Sequence, residues 1–142
     1  MKKLTSIIVP LLLFSIYASA QEKKGEKNPI DERMAKCLSI DSNMTTLGMN
    51  NCVYAARDEW DKELNKYYKL LMDSISADEK AKLKEAQRSW ILYRDNETKF
   101  SYTLYGNMDG TMWTNVSAMR SLEIIKQRAL ELKVYYEEHK FK

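Results

Sequence analysis

From Thr45 onward the chain sets apolar residues at steps of three and four. Met49, Cys52, Val53, Ala56, Trp60, Leu64, Tyr67 and Leu71 share one helical face. This predicts a helix capped by Thr45 or Thr46 and running to about Ser74. Ser76-Ala77-Asp78-Glu79 then has the form of a capping box, which opens a helix toward Tyr102 spanning about 40 Å at 1.5 Å per residue. The stretch GNMDGTMWTN reads as a loop. Beyond it Ala118, Leu122, Ile125, Ala129, Leu132 and Tyr136 alternate steps of four and three, the seam of a helix packed nearly antiparallel to its neighbours. A shorter helix is predicted from Asp31 to Leu38, followed by the loop SIDSNMTT. No proline follows Pro29, and only Gly48, Gly106 and Gly110 interrupt the rest. The prediction is an all-α fold: an up-down-up bundle of three long helices plus a short N-terminal helix.

The first twenty residues follow a different logic. Lys2 and Lys3 precede an apolar run from Ile7 to Tyr17 and the small-x-small tripeptide Ala18-Ser19-Ala20, the layout of a cleaved export signal. A retained anchor needs about 18 apolar residues, more than this run supplies. Residues 1–20 are therefore expected to be a signal peptide, residues 21–29 (QEKKGEKNP) a flexible leader, and residues 30–142 a single helical domain. With no cysteine after the apolar run to carry a lipid, the expected location is periplasmic or secreted, with no membrane span after cleavage.

Export changes the reading of charge and of the cysteines. Loss of Lys2 and Lys3 lowers the formal charge from +3 to +1. Both signs are interspersed, which is not the footprint of a nucleic-acid binder. Cys37 and Cys52 meet an oxidising compartment and are expected to close a disulfide fastening the N-terminal helix, worth about 3 kcal/mol in the chain-entropy model. A redox pair is more often C-x-x-C, and a metal needs more ligands than two thiols and the lone His139.

Within KEAQRSWILYRD, Gln87 and Arg94 fall beside Leu83 and Trp90, within about 60° of arc on a helical wheel. A guanidinium there requires an acceptor. The preceding helix offers a polar stripe of Asp61, Asn65 and Tyr68. The expected network pairs Asp61 with Arg94, adds Asn65 and Gln87, and places Trp90 over it. The alternative is local: Arg88 or Arg94 reaches Asp95 or Glu97, or extends to water.

The pattern D-x-x-L-N-x-x-Y (Asp61, Leu64, Asn65, Tyr68) followed by L-x-x-x-Q-R-x-W-x-x-Y-R-D (Leu83, Gln87, Arg88, Trp90, Tyr93, Arg94, Asp95) resembles the LprI-like family of exported helical domains, named for a lysozyme inhibitor. The resemblance runs from about Cys37 to Leu132, and Cys37 and Cys52 resemble the family's first cysteine pair. A second family pair is missing: Thr98 and Arg120 stand at those places. The resemblance thus implies a looser segment over 99–115.

Catalysis needs an activated nucleophile, a tuned acid–base pair or a metal. The chain shows no such constellation and no phosphate loop, so neither an enzyme nor a cofactor is expected. The resemblance implies a protein partner, a lysozyme-type muramidase whose cleft holds two carboxylates. The candidate partner-binding loop contains Lys99, Tyr105, Asn107, Trp113 and Asn115. The competing class is an envelope adaptor or peptidoglycan-associated module using a helix face.

Overall fold

The computed structural model describes residues 28–141. The expected signal peptide and nearly all of the leader lie outside them. Four α-helices follow in order: α1 (Pro29–Leu38), α2 (Thr46–Ser74), α3 (Ala77–Gly106) and α4 (Met112–His139), with a short 3-10 turn at Asp41–Asn43 before α2. The all-α expectation holds, and local chemistry explains the boundaries. Asn28 caps α1 by accepting from the Ile30 amide, with Pro29 at the first helical position, where its missing N–H costs nothing. Thr45 caps α2 through the Gly48 amide. Ser76 and Glu79 form the predicted reciprocal capping box of α3.

α4 is the centre of the bundle. Its seam residues Ala118, Leu122, Ile125, Ala129 and Leu132 are buried and pack with Val53, Ala56, Trp60, Leu64 and Leu71 of α2 into one core. Tyr67 and Tyr136, rings 6.1 Å apart, extend that contact. α3 packs on α4 and scarcely touches α2. α1 lies across α2, burying Ile30. It is fixed there by the Cys37–Cys52 disulfide and by Asp31, whose carboxylate accepts from Trp60 Nε1 at 3.2 Å and pairs with Lys126 Nζ of α4 at 2.7 Å. Gly48 is required where it stands. A Cβ there meets the Asn43 backbone at 2.6 Å, so only glycine lets the 3-10 turn lie against the start of α2.

The loop between α3 and α4 is shorter than predicted. α3 continues to Gly106 and α4 begins at Met112, so Trp113 and Asn115 are helical. Gly110, at φ +98, makes the left-handed turn.

Candidate functional site

Two regions bring the sequence-selected residues together. The first is a groove of about 920 Å³ between α2 and α3, open because those helices do not close on each other. Arg57, Asp58, Asp61 and Lys62 form the α2 wall; Arg94, Asp95, Lys99 and Tyr102 line the other, and Ser121 and Ile125 of α4 form the floor. Asp61 and Arg94 thus face one space, but the expected ion pair between them is not made. Arg94 Nη2 meets Asp95 Oδ1 at 2.7 Å, and the guanidinium lies 5.3 Å from the Trp90 ring. Asp61 instead accepts from Asn65 Nδ2 of its own helix at 3.0 Å. The local alternative prevails for a topological reason: α4, not α2, is the helix against which α3 packs.

The same topology redirects Gln87. This buried amide accepts from Arg128 Nε of α4 at 3.1 Å, and Arg128 Nη1 reaches Glu131 Oε2 at 2.7 Å. Arg128, only 8% exposed, is the buried cation of the bundle that sequence reasoning missed. A signal was available, since Arg128 sits on the α4 seam between Ile125, Ala129 and Leu132. Asn65 and Arg88 are exposed, whereas Tyr68 and Trp90 pack against the core edge. At the level where the family resemblance implies a second crosslink, Arg120 Nη2 reaches Glu97 Oε1 at 3.0 Å. One turn farther on, the Ser101 and Ser117 hydroxyls stand 3.5 Å apart. The hydrogen bond that Arg120 donates to Glu97 is the leading cause holding the arginine's pKa above its ordinary value.

The second region is the bundle end at the α3–α4 turn. Tyr105 and Trp113 stack with centroids 5.8 Å apart and planes 7° from parallel. Asn115 is not free to reach a partner, because its amide donates to Asn50 Oδ1 at 3.1 Å while Asn50 donates to Thr114 Oγ1 at 3.2 Å. The Thr46 and Thr111 hydroxyls meet at 3.0 Å and tie the start of α2 to the turn. Leu47 and Met112, the next residues in each strand of chain, are 71% and 66% exposed, and Met44 is exposed nearby in sequence. Of the five loop candidates, Tyr105, Asn107, Trp113 and Asn115 gather at this end, while Lys99 belongs to the groove.

His139, the chain's one histidine, bonds the Ser74 carbonyl at 3.1 Å at the opposite end. Among the described residues no cluster of three or more His, Cys, Asp or Glu could hold a metal, and no helix is long and apolar enough to cross a membrane.

The family model described as "Lysozyme inhibitor LprI" matches residues 37–132. Among solved structures, the chain is similar to an uncharacterised protein from Burkholderia thailandensis, at 30% identity and a TM-score of 0.75 over 80% of this chain. The chain spans 56% of that protein's length. A comparison with curated proteins finds no match. The family match covers more than half of the sequence, from the first disulfide cysteine through the buried Arg128 to the last core leucine of α4, and the chain belongs to the LprI family.

Proposed function

We propose that this protein is an exported, non-catalytic inhibitor that binds a lysozyme-type muramidase and blocks its cleft with the bundle end at the α3–α4 turn. The family membership carries the reading. The geometry supports the choice of surface. Protein-binding patches are enriched in methionine and aromatic residues, and this end presents Met44, Leu47, Met108 and Met112 as exposed apolar groups around the stacked Tyr105 and Trp113. The turn at Asn107–Gly110 is short, and the Thr46–Thr111 and Asn50–Asn115 hydrogen bonds hold it to α2, so little ordering entropy is lost on docking. A short turn tied to the neighbouring helix suits insertion into a substrate cleft. The signal-like residues 1–20 support export, to the periplasm or beyond, with residues 30–142 acting as one domain.

The test is a cell-wall lysis assay with the chain from Gln21 onward and several muramidases. Inhibition is expected at micromolar protein, and it should be lost in Leu47→Glu/Met112→Glu, a double variant whose melting curve stays that of the parent because both side chains are exposed. No inhibition of any muramidase at micromolar excess refutes the inhibitor reading. Inhibition unaffected by the double variant moves the site away from this end.

A further inference from the structure

The groove between α2 and α3 carries an internal correspondence. Its α2 wall reads RDEWDK over 57–62 and its α3 wall reads RDNETK over 94–99, so each supplies R-D-x-x-x-K. The contacts repeat as well as the letters. Arg57 Nε and Nη2 both donate to Asp58 Oδ1, at 3.3 and 3.0 Å. Arg94 Nε and Nη2 both reach Asp95 Oδ1, at 2.8 and 2.7 Å. Each aspartate therefore holds one edge of its arginine and leaves the Nη1 corner unspent. The guanidinium is oriented before any ligand arrives.

The helices are antiparallel across the link at Ile75–Ser76, and Arg57 and Arg94 are each about 18 residues from it, so the two arginines share a level. Lys62 lies nearer the link and Lys99 farther from it, which separates the two lysines by about 15 Å along the groove at 1.5 Å per residue. Neither ammonium makes a close ion pair among the described residues, Lys62 acting only through space on Glu59 of its own helix. The floor between the walls is Ile125 and Ser121, and Tyr102 rises at one edge, 72% exposed.

We propose that this groove is a binding site for an extended acidic peptide segment, held by the two R-D-x-x-x-K walls. About 15 Å corresponds to four or five residues of extended chain at 3.3 Å each, with alternate side chains pointing the same way. Carboxylates spaced at that period meet Lys62, the central pair of arginines and Lys99 in turn. The volume falls within the range of small-ligand sites, about 300–1,000 Å³. Asp58, Asp61 and Asp95 narrow the choice of ligand. They offset all but one of the four cations, Asp58 and Asp95 being spent on the arginines, so the excess positive charge lies with the two lysines, which disfavours a dense polyanion and suits a chain carrying a few spaced carboxylates.

The test is titration of the isotope-labelled chain from Gln21 onward with three probes: a blocked octapeptide alternating glutamate and alanine, its lysine–alanine counterpart, and inorganic tripolyphosphate. The acidic peptide is expected to shift backbone amides over 57–62 and 94–102 and to bind about tenfold more weakly to Lys62→Gln/Lys99→Gln. Both lysines are exposed on helices, so the melting curve of that variant should match the parent. No shift at millimolar peptide overturns the proposal, as does equal binding of the lysine peptide or unchanged affinity of the variant. Binding of tripolyphosphate as tight as that of the peptide replaces it with a general anion site. None of these outcomes bears on muramidase inhibition, which the lysis assay reads at the other surface.

Discussion

Replacing Arg128 by alanine should loosen the seat of α3 on the rest of the bundle. The fully buried residues of α3 are only Gln87 and Ser101, both polar, while Leu83 and Trp90 reach the core edge and Glu97 pairs with Arg120, so the Gln87–Arg128 bond is the one buried polar tie among several contacts. Arg128 is 8% exposed and donates to the Gln87 amide oxygen at 3.1 Å, and every buried side-chain polar atom among the described residues has a partner. Truncation leaves the Gln87 oxygen buried without a donor, a loss of about 1–3 kcal/mol, and removes the packed Arg128 stem. The bond to Glu131 adds little, because that carboxylate is 56% exposed. The sum is about 2–3 kcal/mol, a fall in melting temperature of roughly 8–15 °C for a domain of this size. Urea unfolding of Arg128→Ala, Gln87→Ala and the double variant isolates the pair, with an expected coupling of about 1–2 kcal/mol. Arg128→Met/Gln87→Leu, which removes both polar groups, should recover most of the loss. A single variant within 0.5 kcal/mol of the parent, or a coupling near zero, refutes the assignment of this pair as the anchor of α3.

Four further outcomes follow from the same geometry. Asp61→Ala should change stability by less than about 0.5 kcal/mol in urea unfolding, because its partner Asn65 is exposed and on the same helix. Gly48→Ala should cost about 1–3 kcal/mol by the same measurement, since the new methyl meets Asn43 backbone rather than a side chain that can move. Reduction of Cys37–Cys52 should lower stability by about 3 kcal/mol and expose α1 amides to hydrogen exchange before those of α4. The fourth concerns acid. The hydrogen bond from Arg33 holds the Glu59 carboxyl below its ordinary value of 4.5, so the stabilisation is present above that value and is lost as pH falls through the lowered one. A stability difference between the parent and Arg33→Ala should therefore be seen at neutral pH and vanish in acid.

What the sequence made legible was local and periodic. The Ser76–Glu79 box, a threonine cap at Thr45 or Thr46 (the structure uses Thr45), the core faces of α2 and α4 and the single cysteine pair each depend on residues close in sequence or on one helical period, and each is found in the structure. The partner of Gln87 was not legible in the same way. Chain adjacency favoured α2, whereas the packing order places α4 between the other long helices, and periodicity carries no information about which helix is central. Arg128, a cation on the apolar seam, carries a signal of its own, but periodicity names no partner for it, so its bond to Gln87 is no more legible from this side. Composition misleads at the start of α4: Thr111, Thr114 and Asn115 look like loop residues, yet their hydrogen bonds to Thr46 and Asn50 and within their own turn suit the first turn of a helix. The groove pattern was visible as letters but had no meaning until both copies were seen on facing walls.

The claim on which groove, anchor and register all depend is that α3 is held by α4 and stands apart from α2. Cysteine pairing tests it most directly. Ser101→Cys/Ser117→Cys, placed where the two hydroxyls are 3.5 Å apart, should close a second disulfide in air with helicity retained. Asp61→Cys/Arg94→Cys, on the facing groove walls, should leave two free thiols by mass-spectrometric counting. Closure of the second pair and not the first contradicts the account.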